Sequence, residues 1–193
     1  MTFKIFGCKI TVSFLFTALI ALLLLFDRSS IFVLTLISVI IHESGHLIMM
    51  KLLNQVPDAI KVIPAGVIIT KNKICSYRDE ILISSGGIFF NVIITAVFSV
   101  LYRFHISENF SLSVAMVNLF IAFFNMLPVN GLDGYEIIKN ITRCKSHRMT
   151  VVSVVTLVLL LIFGVVLFYW YFNPTLMITS VYLIILTILN FKR

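Results

Sequence analysis

The sequence predicts an all-α polytopic membrane protein with six transmembrane helices, a short β-hairpin at the membrane surface and a re-entrant loop. Hydrophobic residues make up 60% of the 193 residues and charged residues only 12%, and the mean hydropathy is +1.10. An average soluble domain carries about 25% charged residues. The composition therefore excludes an ordinary soluble protein, and we expect residues 1–193 to form one membrane-embedded domain.

The number of helices follows from the apolar runs, because a span needs about 17 to 25 predominantly apolar residues. The runs are Thr11–Phe26, Ile31–Leu53, Ile81–Tyr102, Phe110–Leu127, Met149–Trp170 and Thr175–Phe191. No small-residue cleavage site follows the first run, so we expect an uncleaved helix rather than a signal peptide.

The basic residues predict the orientation. All of the 15 lysines and arginines except Arg28 and Arg103 fall on the side that would hold both termini. Because basic residues favour the cytoplasmic side, we expect cytoplasmic N- and C-termini. The net charge of +7 could also hold anionic lipid headgroups. No nucleic-acid partner is expected, since the basic residues are spread over juxtamembrane segments rather than gathered on one soluble module.

A metal-ligand motif lies inside the second run, where residues 42–46 read His-Glu-Ser-Gly-His. An H-E-x-x-H sequence on a helix places two imidazoles on one face, where they can bind zinc, with the carboxylate beside the metal as general base. An ionisable residue within a membrane span is costly and indicates function. We therefore expect His42 and His46 to be zinc ligands and Glu43 to be catalytic.

A catalytic zinc ion needs a third protein ligand, and Asp133 is the candidate. It combines the cytoplasmic side, apolar flanking residues and a backbone directed by Gly131 and Gly134. The other acidic residues are predicted on the opposite side or in polar loops: Asp27, Asp58, Asp79, Glu80, Glu108 and Glu136. To reach the metal, Asp133 would have to re-enter the membrane on a loop after the fourth span. The alternative is that Asp133 only caps the short amphipathic helix expected at Tyr135–Ile141.

A second loop, Ala59–Lys73, is rich in β-branched residues and is interrupted by Pro64 and Gly66. This pattern predicts a short strand pair at the membrane surface. One interpretation is a hairpin that merely covers the helix ends. The other is an exposed edge that an extended substrate segment joins as an additional strand.

Two motifs together resemble the site-2 protease family of intramembrane zinc metalloproteases (peptidase family M50). They are His42–His46 on the second span, and Asn125-Met126-Leu127-Pro128 followed by Leu132-Asp133-Gly134. The resemblance implies one zinc ion per chain held by His42, His46 and Asp133, with Glu43 as the base that activates water. It also implies that Asn125 lies near the substrate carbonyl or peptide backbone, as an oxyanion donor or a peptide-orienting group.

Within that family, the chain is similar to the compact six-span bacterial branch that processes pro-sigma-K during sporulation. Residues 63–66 are similar to that branch's Leu-Pro-Phe-Gly strand loop, and Ser85-Gly86-Gly87 leading to Asn91 is similar to its Ala-Gly-Pro turn. The chain departs from the pattern at Ile88, where proline is usual, and at Tyr135, where glycine is usual. We expect no appended nucleotide-sensing or PDZ domain, so that control would come from membrane regulatory proteins or from substrate supply.

The expected function is an intramembrane zinc metalloendopeptidase of the bacterial cell membrane that cleaves a membrane-associated protein near the cytoplasmic face. A sporulation pro-sigma factor is the favoured substrate, and anti-sigma factors and remnant signal peptides are also compatible with the resemblance. The alternative is a non-catalytic membrane protein that binds or carries a metal. A carrier usually needs several metal sites or broken helices at mid-membrane, and the sequence offers one constellation.

Overall fold

The architecture is that of a computed structural model, which describes residues 2–5, 8–13, 17–18, 20, 30–55, 57, 59–63, 66–70, 76–143, 146–172 and 174–191. The chain divides into two compact units, Met1–Ala122 and Phe123–Arg193.

The first unit contains a four-stranded sheet with the strand order β1-β2-β3-β4. The strands are β1 (Thr2–Ile5), β2 (Cys8–Val12), β3 (Ala59–Ile63) and β4 (Gly66–Thr70). β3 and β4 are antiparallel, within the segment where the sequence predicts a strand pair. β2 lies parallel to β3, with Lys9 opposite Ala59 and Val12 opposite Val62. The sheet therefore has two strands that the sequence analysis did not predict.

The start of the first predicted span, Thr11–Phe26, is wrong. Thr11 and Val12 end strand β2, because their backbone groups pair with Lys61 and Val62 of β3. Both residues are β-branched, which favours a strand. Most of the remaining run, residues 14–16, 19 and 21–26, lies outside the described residues.

The helices of the first unit are α1 (Ile31–Leu52), α2 (Tyr77–Arg103) and most of α3 (Glu108–Asn125). α1 and α2 cross with their backbones in contact, since a Cβ built on Gly45 would lie 2.5 Å from the Gly86 carbonyl oxygen. Small residues permit such an approach between membrane helices. This crossing brings the His-Glu-Ser-Gly-His segment of α1 against α2.

α1 and α2 both terminate in the same backbone arrangement. At the end of α1, Asn54 adopts a positive φ of 55° and the Gln55 amide donates to the Met50 carbonyl. At the end of α2, His105 adopts a φ of 56° and the Ile106 amide donates to the Leu101 carbonyl. A left-handed residue followed by such a bond is the Schellman arrangement, which satisfies the last carbonyls of a helix.

The second unit contains α4 (Asp133–Thr142), α5 (Ser146–Tyr171) and α6 (Thr175–Phe191). Its core is formed by Val129, Leu157 and Leu183. α5 and α6 approach closely at Gly164, where an added Cβ would lie 2.8 Å from the Met177 backbone nitrogen.

Four of the described helices are long and apolar enough to cross a membrane: Ile31–Leu52, Tyr77–Arg103, Glu108–Asn125 and His147–Tyr171. They coincide with the second to fifth predicted spans. The helix at the sixth predicted span is apolar but shorter than these four. The total of six spans stays a prediction.

Candidate metal centre

His42 and His46 lie on one face of α1, one helical turn apart. Their ring centroids are 4.8 Å apart with an interplanar angle of 87°, and their Nε2 atoms are 3.2 Å apart. The side chains are buried, with exposed fractions of 4% and 7%. The helical spacing explains the pairing, because residues i and i+4 stack one above the other. The motif thus brings both imidazoles together within a single element.

The other nitrogen of each ring is held by an oxygen. His42 Nδ1 lies 2.7 Å from Asn91 Oδ1, and His46 Nδ1 lies 2.8 Å from the Ile83 carbonyl oxygen. Since both oxygens accept, both Nδ1 atoms carry the ring proton and donate it. The Nε2 atom of each neutral ring then presents a lone pair. This is the arrangement that orients metal-ligating histidines in proteins.

The two Nε2 atoms fit a metal ion. With both Nδ1 atoms donating, the two Nε2 lone pairs lie 3.2 Å apart and can face one cation. Two nitrogens bound to tetrahedral zinc, each at about 2.05 Å, are about 3.3 Å apart. The separation of the Nε2 atoms therefore matches a pair of ligands on one zinc ion, and the buried imidazole pair is chemically suited to hold it.

Gly87 of α2 leaves the space that the two rings occupy. A Cβ built on Gly87 would lie 2.5 Å from His46 Nε2 and 2.7 Å from His42 Cε1. Both distances are far below a carbon contact of about 3.5 Å. The backbone of α2 therefore forms one wall of the candidate centre, and a larger residue at this position would displace the rings or the helix.

Within the first unit, a buried polar network extends from His42 through Asn91 to Asn118. Asn91 Nδ2 donates to Asn118 Oδ1 over 2.8 Å and to the Ser38 carbonyl over 3.3 Å. Asn118 Nδ2 donates to Ser38 Oγ over 3.0 Å and to the Val114 carbonyl over 2.9 Å. Asn91 and Asn118 are completely buried. An unsatisfied buried polar group costs about 1–3 kcal/mol, so these mutual hydrogen bonds make two buried amides tolerable.

Glu43 is half-buried on α1, one residue after His42 and three before His46. The i, i+3 spacing places Glu43 and His46 on adjacent positions of the helix surface.

Asp133 and Asn125 belong to the second unit. Asn125 is the last residue of α3, and both side chains are half-buried. Asp133 differs from the prediction, because it is the first residue of α4 rather than part of a loop. The N-cap position is occupied by Leu132, so the capping alternative does not hold either. A carboxylate in the first turn is stabilised by the helix dipole.

The backbone before α4 explains the position of Asp133. Gly131 adopts a φ of +97°, which only glycine adopts readily. A Cβ on Gly134 would collide with the Met126 carbonyl, so the start of α4 packs directly on the turn that follows α3. The positive φ at Gly131 agrees with the glycine-directed backbone that the sequence predicts before Asp133.

Sequence reasoning missed Ser38, Asn118 and the Ile83 carbonyl, and it noted Asn91 only as part of a turn. A signal existed for the asparagines, because a primary amide within a membrane span needs a hydrogen-bond partner. The Ile83 carbonyl gives no sequence signal, since every residue carries one.

Comparison with models of protein families finds no match, and comparison with curated proteins finds none. Among solved structures, the chain is similar to the Site-2 Protease from Methanocaldococcus jannaschii. The TM-score is 0.64 and the sequence identity 22%, over 95% of this chain and 91% of that chain. The chain therefore has the fold of a site-2 protease.

Proposed function

We propose that the chain is an intramembrane zinc metalloprotease of the site-2 protease type. One observation carries the proposal: two buried imidazoles whose Nδ1 atoms are held by oxygens, and whose Nε2 atoms lie 3.2 Å apart. The fold that the chain has in common with a site-2 protease supports the same function. We treat residues 1–193 as one membrane-embedded protease domain that holds one zinc ion.

The proposed zinc ligands are His42 and His46 of α1 and Asp133 at the start of α4. Two imidazoles and one carboxylate are a common protein ligand set for catalytic zinc, with the fourth position left for water or substrate. When bound, zinc would polarise the scissile carbonyl and lower the pKa of a water molecule.

Glu43 is the proposed general base, which accepts a proton from water and returns it to the leaving amine. Its place in the helix, between the two histidines, favours this role. Asn125 is proposed to donate to the substrate, either at the oxygen that gains negative charge or along the peptide backbone.

The proposed substrate is an extended segment of a membrane-associated protein. β1 and β4 are the outer strands of the sheet, and an added strand at such an edge accepts many sequences because it is held by backbone hydrogen bonds. We propose that the sheet lies at the cytoplasmic surface of the bacterial cell membrane, with both termini on that side. A sporulation pro-sigma factor is the favoured substrate class and an anti-sigma factor the next.

The test is co-expression of the full chain with a tagged pro-sigma factor and, separately, with a tagged single-span anti-sigma factor. We expect the wild type to cleave at least one of them and Glu43→Gln to cleave neither. Zinc content of the purified proteins should be the same, since Glu43 is not a ligand. Glu108→Gln is the matched control, because Glu108 pairs with His105 on the surface, and it should cleave like the wild type.

Two results would contradict the proposal. Cleavage that persists in Glu43→Gln would remove Glu43 as the base. Zinc binding by a wild-type chain that cleaves none of the substrates, together with zinc transport into vesicles, would favour the carrier alternative.

A further inference from the structure

We propose that Asn118 is a positioning residue that orients His42 through Asn91. The inference builds on the proposed function, since it assigns His42 as a metal ligand. Asn118 belongs to α3, Asn91 to α2 and His42 to α1, so the effect would connect three helices of the first unit.

A hydrogen bond to the Val114 carbonyl fixes the orientation of the Asn118 side-chain amide. A backbone carbonyl can only accept a hydrogen bond, so the atom of Asn118 that lies 2.9 Å from it must be Nδ2. The same nitrogen donates to Ser38 Oγ over 3.0 Å. The Oδ1 atom of Asn118 is therefore the atom that faces Asn91.

The orientation of Asn91 follows from that of Asn118. The atom of Asn91 that lies 2.8 Å from Asn118 Oδ1 must be a donor, hence Nδ2. The Ser38 carbonyl, 3.3 Å from the same nitrogen, imposes the same choice. Asn91 Oδ1 is thus left for His42, at 2.7 Å from Nδ1.

The consequence for His42 is a fixed tautomer. Because Asn91 presents an acceptor, His42 donates from Nδ1 and presents the Nε2 lone pair beside His46. Two backbone carbonyls, those of Val114 and Ser38, therefore determine which nitrogen of His42 is available to a metal. A flipped Asn91 amide would offer N–H to His42 and favour the opposite tautomer.

Amides suit this task better than carboxylates in a buried membrane site. An amide has both a donor and an acceptor, so it can transmit an orientation from one neighbour to the next. A carboxylate has acceptors only, and it would add a charge whose burial is costly. This explains why two neutral asparagines, rather than aspartates, lie behind His42.

The experiment uses the full chain in detergent and has two readouts. The first is zinc affinity by competition with a chelator, and the second is the tautomer of His42 in metal-free protein from the ¹⁵N chemical shifts of its ring. The variants are Asn91→Leu, Asn118→Leu and the double variant. Ser111→Ala is the matched control, because Ser111 is buried on the same helix and its hydroxyl donates to the Ile106 carbonyl rather than to either asparagine.

We expect Asn91→Leu to weaken zinc binding by about 10- to 100-fold and Asn118→Leu by about 10-fold, as for other residues that orient metal ligands. In metal-free protein, Asn118→Leu should raise the population of the Nε2–H tautomer of His42. In the Asn91→Leu background, Asn118→Leu should have no further effect on zinc affinity, because its route to His42 is already lost. Ser111→Ala should change neither readout.

Independent, additive effects of the two asparagines on zinc affinity, with the His42 tautomer unchanged in Asn118→Leu, would overturn the inference. A wild-type chain that binds no zinc would refute the proposed function but not this inference, because the tautomer of His42 is measured without metal. Unchanged ring shifts in Asn118→Leu would then refute the inference by themselves.

Discussion

Gly87→Ala should weaken zinc binding much more than it lowers the stability of the fold. The added Cβ would lie 2.5 Å from His46 Nε2 and 2.7 Å from His42 Cε1. Since a relaxed contact needs about 3.5 Å, either the ring or the helix must move by about 1 Å. Metal–ligand distances in protein sites lie within about 0.2 Å of their usual values, so a shift of this size would take a ring out of the range for binding. We therefore expect zinc affinity to fall by about 100-fold or more, the upper end of losses from indirect perturbation.

The cost in stability should be smaller than the effect on the metal. Overpacking a well-packed contact costs about 1–3 kcal/mol, which a folded helix bundle can absorb. The assay is zinc competition in detergent together with thermal unfolding of the metal-free chain. Gly164→Ala is the matched control, because its Cβ would lie 2.8 Å from the Met177 backbone nitrogen in the second unit.

Gly164→Ala should lower stability by a similar amount and leave zinc affinity unchanged. Wild-type zinc affinity in folded Gly87→Ala would refute the reasoning, since it would mean that the rings do not hold the metal in the arrangement described. Equal losses of affinity in both variants would attribute the effect to general loosening of the helices.

Two further predictions concern the start of α4. Asp133→Asn should lower the zinc content, measured by elemental analysis, well below one ion per chain. Glu136→Gln is the control and should keep its zinc, because the Glu136 carboxylate pairs with Lys139 at 3.1 Å. Equal zinc contents in the two variants would reassign the third ligand. Gly131→Ala should lower the thermal unfolding midpoint by about 2–4 °C, because a φ of +97° costs an alanine about 1 kcal/mol. No described atom lies within 4 Å of the added Cβ, so an unchanged midpoint would mean that the backbone strain is relieved.

The errors of the sequence analysis lie where distant segments pair. Thr11 and Val12 read as the start of an apolar span, but β3 provides hydrogen-bond partners for a strand there. Hydropathy measures how well side chains tolerate lipid and contains no information on which backbone pairs with which. The loop predicted at Asp133 is also wrong, because the helix begins at this residue, two residues before the amphipathic segment that the sequence analysis expects.

The imidazole pair could be predicted from the amino-acid sequence alone. Four residues along an α-helix always bring two side chains to one face, so the spacing of His42 and His46 sufficed to predict that their rings would meet. The apolar runs likewise determined four helices long enough to cross a membrane, since span length depends only on local composition.

The orientation of the two rings, in contrast, depends on how the helices pack. The partners of their Nδ1 atoms are the Asn91 side chain and the Ile83 carbonyl, both from a helix that reaches α1 through a glycine crossing. Such partners depend on which helix faces lie within hydrogen-bond distance after folding, and a backbone carbonyl is identical at every position of the chain. Spacing along the chain therefore fixes which groups are available, while packing between helices fixes which atom of each group faces the candidate metal centre.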